Sequence, residues 1–308
     1  MKVYRSINNL PKFNNPVITI GTFDGVHEGH RHLIQKINLL AKNISGESVI
    51  ITFVPHPRLI VHPDDKSLRI LSTTEEKIKL LEAENVDTLV IVGFTKEFSV
   101  QSAKEYLENF LVKNFHPSVI VTGYNHHFGH HRDGNIEMLR KFENEFNYKV
   151  EELSKQLVDD IAVSSTRIRI ALQEGDIDLA THFMGHAYSI SGIVVHGQHL
   201  GNQIGFPTAN ILVNDQLKLI PADGVYAVRV RWNENVFSGM MNIGFRPTVD
   251  GLHHKLEVHL MDFNSDLYGQ QLEIEFVKRL RDEKKFSSLD ELKDQLKLDK
   301  ENAIRFLK

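Results

Sequence analysis

Residues 17–30 read VITIGTFDGVHEGH, an apolar run followed by a turn that holds three glycines and two histidines. The run at 17–20 is short and apolar, as expected of a buried β-strand. A helix is expected to begin near His30, because apolar residues then recur at helical spacing: Leu33, Ile34, Ile37, Leu40 and Ala41. The N-terminus of a helix presents unpaired backbone N–H groups and suits an anion. We therefore interpret this stretch as a nucleotide-binding site.

The chemistry of this stretch is expected to lie with its two histidines. The imidazoles of His27 and His30 can bind phosphate oxygens and stabilise charge that develops at phosphorus. Alternatively, the two histidines are a pair of metal ligands or ordinary loop residues. A strand, a glycine-rich turn and a helix surround them, and this context favours a nucleotide-binding role. The turn residues are expected to line that nucleotide: Gly21, Thr22, Phe23, Asp24 and Gly25.

The composition narrows the class of protein. A chain of 308 residues is long enough for two domains. A formal net charge of -4 gives no basic footprint of a nucleic-acid binder, and the absence of cysteine excludes disulfides and thiolate zinc sites. The N-terminal residues lack the apolar core of a signal peptide, and no run approaches the roughly 18 apolar residues of a membrane span. A cytoplasmic protein without membrane or nucleic-acid partners is expected, and its oligomeric state stays open.

The N-terminal half alternates strands and helices. Strands are expected at 48–53, 88–92 and 118–122, with helices over 74–84 and 103–112, Thr74 as an N-cap and Lys77 as a surface charge. This alternation predicts an α/β domain with a parallel sheet and right-handed crossovers. Ligands of such sheets bind where the strands end, so the turn at 21–27, the Pro-His-Pro loop at 55–57 and the loop at 123–134 are expected at one edge.

Two further stretches of this half carry alternative interpretations. Four histidines lie in the loop at 123–134 and raise the question of zinc, but its glycines indicate a loop and no carboxylate or thiolate ligand stands at a typical zinc spacing. The second stretch, VSSTRIR at 163–169, is expected to begin a helix. Its serines either cap that helix or form a second anion cradle, with Arg167 as a charge-assisted donor to a triphosphate.

The periodicity changes near Met184, where we place the boundary between domains 1–184 and 185–308. A short helix from Asp176 to Gly185 precedes it. Strand-like runs follow at 188–196, 225–232, 236–243, 256–261 and 272–276, separated by turn residues. Several short strands in succession predict an antiparallel barrel or sandwich, and helices over 288–296 and 300–307 are expected to close the chain.

The polar residues of the C-terminal half concentrate at 201–210, GNQIGFPTAN. Gly205 and Pro207 shape a turn, and the oxygens of Thr208 and Asn210 suit a hard Mg2+ ion that bridges ATP phosphates. A plain turn that enters a strand is the alternative. Glu257 stands in the middle of an apolar strand, either as an outward-facing residue or as a functional carboxylate.

The stretch GTFDGVHEGH at 21–30 resembles the H-x-G-H signature of the nucleotidylyltransferase superfamily. Over its full length the stretch is similar to the corresponding sequence of the bacterial bifunctional riboflavin kinase/FAD synthetases. SSTRIR at 164–169, GFPTAN at 205–210 and NIGFRPT at 242–248 extend the resemblance over about residues 17–306. The resemblance implies a Rossmann-like nucleotidylyltransferase domain and a riboflavin kinase barrel. Riboflavin, FMN and ATP would be the substrates and FAD the final product, with Mg2+ required for ATP.

Residue roles also follow from the resemblance. Glu257 would be the base of the kinase, with Mg2+ held by Thr208 and Asn210 and the nucleotide by Gly205 and Pro207. In the other domain His27 and His30 would stabilise the transition state. The stretch Ser164, Ser165, Thr166 and Arg167 would hold the nucleotide and its leaving pyrophosphate. The flavin contacts would be Phe53, His56, Pro57, Asn125 and Phe128.

The chain departs from the family pattern at two positions: His126 stands where an aromatic residue is usual, and Asn202 where arginine is frequent. Three alternatives stay open. A different H-x-G-H transferase, such as one that joins CMP to a phosphoalcohol, leaves the second half unexplained. A single-activity enzyme would follow if one departure disabled its site. A non-enzymatic flavin-binding regulator would tolerate loss of His27, His30 and Glu257, which are all present.

Overall fold

The computed structural model describes residues 1–124, 126–197, 201, 204–248 and 251–308. Its contacts divide the chain into a first unit, Met1–Ser165, and a second unit, Thr166–Lys308. The predicted boundary near Met184 lies C-terminal to that division and stays a prediction. No helix within the described ranges is long and apolar enough to cross a bilayer.

The first unit is built on a parallel sheet of six strands, which confirms the predicted α/β class. The strands are β1 Lys2–Tyr4, β2 Val17–Ile20, β3 Ser48–Val54, β4 Thr88–Gly93, β5 Val119–Gly123 and β6 Lys149–Leu153, in the order β1-β4-β3-β2-β5-β6. The turn at 21–27 follows β2, the Pro-His-Pro loop follows β3 and the loop at 123–134 follows β5. These three strands are neighbours, so the three segments leave the same edge of the sheet, as predicted. The order reverses between β2 and β5, which is where ligands bind in open α/β sheets.

Apolar side chains cover both faces of this sheet. In β3, Val49 and Ile51 belong to one core cluster and Ile50 to another, as the alternation of side chains along a strand requires. Both faces are therefore buried, and the central strands are apolar almost throughout. Edge strands β1 and β6 were not predicted, because β1 has only three residues and β6 (KVEEL) has three charged ones.

The first unit contains a series of short and long helices. They are α1 Glu28–Asn43, α2 Pro57–Val61, α3 Thr74–Ala83, α4 Lys96–Ser99, α5 Ala103–Glu105, α6 Lys113–Phe115, α7 Ile136–Lys141 and α8 Glu143–Phe146, with a π-helical segment Tyr106–Val112 between α5 and α6. Helix α3 is capped by Thr73 rather than by the predicted Thr74. The Thr73 hydroxyl accepts from the Glu76 backbone N–H, and the Glu76 carboxylate accepts from the Thr73 N–H.

Helix α9, Lys155–Glu174, corrects the prediction for 163–169. The helix begins eight residues before Val163, after Ser154, whose hydroxyl accepts from the Leu157 backbone N–H. Ser164 and Ser165 therefore lie inside the helix, where their backbone N–H groups are used within the helix itself. The prediction that a helix begins at 163 with these serines as its cap is therefore wrong, and the anion site with Arg167 as a donor stays a prediction.

The second unit is a closed antiparallel barrel, the first of the two architectures predicted. Its strands are β7 Ser189–Val195, β8 Ala209–Leu212, β9 Gly224–Trp232, β10 Asn235–Thr248, β11 Gly251–Leu260 and β12 Gln271–Arg281, in the order β10-β11-β8-β7-β12-β9. Strand β8 was not predicted, because it is only four residues long and follows a turn. Ile243, Val258, Ile274 and Phe276 are fully buried in this unit.

Two further helices of the second unit lie among its described residues. The predicted short helix is confirmed as α10, Ile177–Met184, with Asp176 as its N-cap and Gly185 in the left-handed conformation at its end. A single helix α11, Leu289–Leu307, replaces the two predicted at 288–296 and 300–307. Neither glycine nor proline interrupts residues 297–299, and Asp299 is buried in an ion pair with Arg281, which makes the polar gap compatible with one helix.

Candidate functional site

The turn at 21–27 is held in an unusual backbone conformation. The Gly21 N–H continues the sheet by donating to the Ile51 carbonyl at 3.1 Å. Phe23 (φ 47°), Gly25 (φ 78°) and Val26 (φ 40°) then adopt positive φ. A Cβ on Gly25 would lie 2.9 Å from that of Leu71, so glycine is required there for space as well as for conformation. His27 follows as the N-cap residue of α1.

The two histidines are brought together. Their rings stack with centroids 3.8 Å apart at 25°, and the residues are 0% (His27) and 7% (His30) exposed. His27 Nε2 and the Ser165 hydroxyl are 2.7 Å apart, so one of the predicted serines contacts the pair. Burial, followed by the charges of His27 and Lys77, lowers the pKa of His30 well below its usual value. The His30 imidazole is therefore neutral at pH 7 and can donate from one ring nitrogen.

Residues 71–77 hold the turn from the opposite side, which the sequence did not predict. One carboxylate oxygen of Asp24 accepts from the backbone N–H groups of Leu71 (2.8 Å) and Ser72 (3.0 Å). The Gly25 N–H donates to the Ser72 hydroxyl at 2.9 Å. Asp24 and Gly25 thus shape the turn; these contacts give Asp24 a structural role beside its predicted place at the nucleotide.

Lys77 was wrongly predicted as a surface charge. It is 8% exposed, and its ammonium donates to the Thr22 carbonyl at 2.6 Å. That carbonyl also accepts from the Thr52 hydroxyl at 3.1 Å. Burial lowers the pKa of Lys77, and the neighbouring Asp24 charge opposes that shift. A lysine beside glutamates in an amphipathic helix reads as a solvated residue, so no signal in the sequence marks it.

The three remaining residues of the predicted pyrophosphate site have different surroundings. Thr166 and Arg167 are exposed and belong to the second unit by their contacts. The Arg167 guanidinium lies over the ring of Phe183, 5.4 Å from its centroid. Ser164 is partly buried in α9 of the first unit. Contact with the histidine pair is therefore found for Ser165, while a phosphate role for Ser164, Thr166 and Arg167 stays a prediction.

The predicted flavin residues Phe53 and Phe128 belong to one aromatic cluster. Phe53 contacts Phe98 with ring centroids 5.6 Å apart, and Phe98 contacts Tyr106 at 5.9 Å. Tyr106 then stacks on Phe128 at 5.0 Å. The cluster joins the end of β3 to the loop after β5 through the π-helical segment. Asn125, the third residue of the loop at 123–134, lies outside the described residues.

The Pro-His-Pro loop is ordered by its own histidine. His56 Nδ1 accepts from the Arg58 backbone N–H at 3.2 Å and caps α2, in which Pro57 is the first residue. Both residues are partly buried next to the end of β3. Their flavin contacts stay a prediction.

His126 packs on Phe128 with ring centroids 5.8 Å apart, which places an imidazole where the family has an aromatic ring. Burial, with smaller contributions from His127 and Arg132, lowers the pKa of His126 to about 4, so the ring is neutral at pH 7. Among the described residues, no three His, Asp or Glu side chains converge as metal ligands, here or elsewhere.

The second unit has a cavity beside the predicted kinase motif. Its volume is about 260 Å³. Pro207, Thr208 and Ala209 line one side and residues 263–268 the other. The His259 ring nitrogen Nδ1 lies 2.8 Å from the Pro207 carbonyl and fixes the turn. Gly205, with φ 82°, is the exposed start of that turn, and Asn202 lies outside the described residues.

The register of three adjacent strands aligns the other predicted kinase residues. Glu257 of β11 pairs with Asn210 of β8 on one side and with Asn242 of β10 on the other. Paired positions project to the same face of a sheet, so these polar groups form a row. The Glu257 carboxylate also pairs with the Lys255 ammonium at 2.6 Å, with about a quarter of each side chain exposed (23% and 22%).

Two glycines leave space for the side chain of Asn210 and for the turn that precedes it. A Cβ on Gly197 would lie 1.9 Å from the amide nitrogen of Asn210. A Cβ on Gly201 would lie 2.2 Å from the Phe206 carbonyl and 3.4 Å from the Thr208 hydroxyl. Neither position has space for a larger residue while Asn210 and the Phe206 carbonyl keep their places.

Family models match both halves of the chain. One described as FAD synthetase matches residues 10–167, and one described as riboflavin kinase matches residues 184–307. A solved structure described as a macrolide-efflux protein from Streptococcus pneumoniae is 31% identical, with a TM-score of 0.84 and 97% of each chain covered. The likeness to that structure shows a shared fold.

Curated relatives match over nearly the full length. Proteins named bifunctional riboflavin kinase/FMN adenylyltransferase are 37% identical in Haemophilus influenzae (99% of each chain covered) and 37% identical in Escherichia coli K12 (99% of this chain, 98% of the relative). The Bacillus subtilis protein of that name is 35% identical over 94% of this chain and 92% of its own. The chain therefore belongs to the family of bifunctional riboflavin kinase/FMN adenylyltransferases.

Proposed function

We propose that the stacked and buried pair of His27 and His30 is the centre of FMN adenylylation and that the row around Glu257 is the centre of riboflavin phosphorylation. The chain is a bifunctional enzyme of flavin-cofactor synthesis, with riboflavin, FMN and ATP as substrates. The stacked histidine pair carries the first assignment, because it places two imidazoles, that of His30 neutral at pH 7, at the N-terminus of α1 and at the switch point of a parallel sheet.

In adenylylation an FMN phosphate oxygen attacks the α-phosphorus of ATP. The new P–O bond joins FMN to AMP, the bond to the β-phosphate oxygen breaks, and pyrophosphate leaves. His27 and His30 donate hydrogen bonds to the oxygens on which charge builds up, and the Ser165 hydroxyl orients His27. Ser164, Thr166 and Arg167 contribute to holding pyrophosphate in this scheme. No covalent enzyme intermediate is needed, because a phosphate oxygen is already a competent nucleophile.

The flavin of this reaction is placed against the aromatic cluster. Phe53 and Phe128 supply apolar ring surface, and His56, Pro57 and Asn125 belong to the loops that follow the same strands. The support is the convergence of the ends of β3 and β5 beside β2, which brings these loops next to the histidine turn. The neutral His126 ring keeps a planar surface in place of the family's aromatic residue.

In phosphorylation the Glu257 carboxylate accepts the proton of the ribityl 5′-hydroxyl while the oxygen attacks the γ-phosphorus of ATP and ADP leaves. The Lys255 ammonium and the paired strands fix the position of that carboxylate. Thr208 and Asn210 would hold Mg2+, which neutralises phosphate charge when bound. A hydroxyl and an amide oxygen beside a 260 Å³ cavity fit an ion that keeps its water and ATP ligands. The Gly205–Pro207 turn borders the same nucleotide.

The organisation of the chain is proposed as an adenylyltransferase domain over 1–184 and a kinase domain over 185–308. The family-model matches at 10–167 and 184–307 are consistent with it. We place the protein in the cytoplasm, where its nucleotide substrate ATP is abundant.

Two single variants test the assignment of the sites. We expect His27→Ala to lower conversion of FMN to FAD by 100-fold or more while riboflavin phosphorylation continues. Glu257→Ala should do the reverse. The measurement is chromatographic separation of the flavins after incubation with ATP and Mg2+, started separately from riboflavin and from FMN.

Each variant is the folding control of the other, because each retains the activity of the unchanged domain. The assignment is contradicted if both variants make FMN and FAD at the wild-type rate. A wild-type protein that leaves both riboflavin and FMN unconverted would contradict the function itself.

A further inference from the structure

We propose that Lys77 is a positioning residue for adenylyl transfer: its buried ammonium fixes the Thr22 carbonyl and thereby the turn that presents His27 and His30. The inference rests on the proposed FMN adenylylation. Lys77 stands on the first turn of α3, an element that carries no residue of the predicted site.

The burial of the Lys77 ammonium is energetically costly and needs an explanation. Lysine is rarely buried unless it is paired, because removal of its charge from water is costly. Lys77 is 8% exposed, and its ammonium donates a hydrogen bond to a neutral carbonyl, that of Thr22. The opposite charge of Asp24 lies near enough to act on Lys77, while the Asp24 carboxylate accepts hydrogen bonds from the backbone of Leu71 and Ser72. An apolar residue at position 77 would avoid the cost of removing a charge from water. The presence of a buried ammonium there therefore indicates that the ammonium has a role.

The conformation of the turn explains what Lys77 holds. The Thr22 carbonyl belongs to the peptide that enters Phe23, where φ is 47°, and Val26 has φ 40°. A non-glycine residue in the left-handed region is strained and persists only where its surroundings enforce it. Two hydrogen bonds to residues 71–77 hold this backbone conformation: one joins Lys77 to the Thr22 carbonyl, and the other joins the Gly25 N–H to Ser72.

Lys77 also sets the electrostatics of the pair. The groups that face His30 are His27 from the turn and Lys77 from α3, while Asp24 acts on Lys77 and the Ser165 hydroxyl contacts His27. Burial is the largest cause of the lowered pKa of His30, and the charges of His27 and then of Lys77 lower it further. Loss of the Lys77 charge should raise the pKa of His30 and move its protonation toward neutral pH.

The test compares Lys77→Met, which keeps the aliphatic stem, with Lys77→Arg, which keeps the charge. For FMN adenylylation we expect Lys77→Met to lower kcat at least tenfold with less than a threefold change in the KM for FMN. The acid limb of its pH–rate profile should move to higher pH, and NMR titration should show a raised pKa for His30. Lys77→Arg should keep the wild-type acid limb with an intermediate kcat, because the guanidinium places its donors differently.

Two controls accompany these variants. Lys79→Met makes the same chemical change on an exposed residue of α3 and should match the wild type. Riboflavin phosphorylation by each variant reports on the fold of the second unit, and thermal unfolding reports on the first. If Lys77→Met does not fold, Lys77→Arg decides, and wild-type turnover by that variant overturns the inference.

The outcomes separate the inference from its basis. Lys77→Met with the wild-type kcat, acid limb and His30 pKa overturns the role of Lys77 while FMN adenylylation stands. A reduced kcat together with an unmoved acid limb and His30 pKa also overturns it, because loosened packing alone gives that result. A wild-type protein that makes no FAD from FMN overturns the proposed function and, with it, this inference.

Discussion

Single side chains in the second unit are packed so closely that one methyl group should be felt in catalysis. A Cβ on Gly197 would meet the Asn210 amide at 1.9 Å, so Gly197→Ala must displace Asn210 or the backbone. We expect kcat/KM for riboflavin phosphorylation to fall by about 10- to 100-fold, since displacement of a positioning group by about 1 Å has effects of that size. Steady-state kinetics at varied ATP measures it. FMN adenylylation by the same variant is the control, and an unchanged kinase would contradict the role of Asn210.

The partly buried imidazole of His126 should make stability depend on pH. The pKa of His126 is about 4 in the folded protein and near 6.5 in an unfolded chain. Between these values the unfolded chain binds a proton at His126 that the folded protein does not bind. The contribution of neutral His126 to the free energy of unfolding is therefore fully present above pH 6.5 and is lost as the pH falls toward 4. The loss attributable to His126 is at most about 3 kcal/mol.

The variant His126→Asn does not titrate in this window and should remove that part of the dependence. Its unfolding free energy, measured by urea titration, should fall less steeply than the wild-type value between pH 6.5 and pH 4. Because His30 titrates in both proteins, the difference belongs to His126. Parallel curves would contradict the burial of this ring.

The residues of the two proposed active centres differed in how far the sequence revealed them. His27 and His30 lie in a contiguous motif, and their proximity follows from the turn that joins them. Lys77 and Ser72 reach the same turn from about 50 positions away, and their contacts depend on tertiary packing. Glu257 was identified as an unusual carboxylate in an apolar strand, but its alignment with Asn210 and Asn242 required the barrel register.

At the scale of elements, a buried ion pair joins α11 to the barrel. Arg281 of β12 donates to both oxygens of Asp299 at 2.8–3.0 Å, and Gln295 donates to one of them at 2.9 Å. The Asp299 side chain is 2% exposed. Asp299→Ala leaves Arg281 without its buried partner and should destabilise the second unit by about 3 kcal/mol.

The midpoint of thermal inactivation of the kinase activity measures this effect. Asp294→Ala is the matched control on the same helix, because its pair with Lys297 is exposed (73% and 56%) and should contribute less than about 1 kcal/mol. Equal inactivation midpoints for the two variants would contradict an anchoring role for Asp299.

The two helices with wrongly predicted bounds differ in what the sequence pattern missed. Helix α9 begins before residue 163, and Leu157 and Val158 near its start already pack in the core of the first unit. Helix α11 was divided at 297–299, where Asp299 interrupts the apolar pattern; in the structure its ion pair with Arg281 lies within one continuous helix. The missed strands β1, β6 and β8 are short, and pairing with neighbouring strands stabilises them more than their own residues do.

At the scale of the whole molecule, periodicity was sufficient for the class of each half. Strands alternating with helices predicted the parallel sheet, and successive short strands predicted the barrel. Periodicity did not predict the strand order, the register of the strands or the contact of residues 71–77 with the turn at 21–27. They depend on pairs of residues far apart in the chain, which one sequence does not identify.

The closure of the barrel has a consequence for its synthesis. The seam that closes it joins β7, the first strand of the barrel to be made, to β12, the last, with Ile193 opposite Gln271 and Ser189 opposite Glu275. Contacts of such long sequence separation form slowly. Until residue 281 has left the ribosome, β7 and β9 each have an unpaired edge that can pair with another chain. A chain that ends before β12 is therefore expected to aggregate and to lose kinase activity entirely.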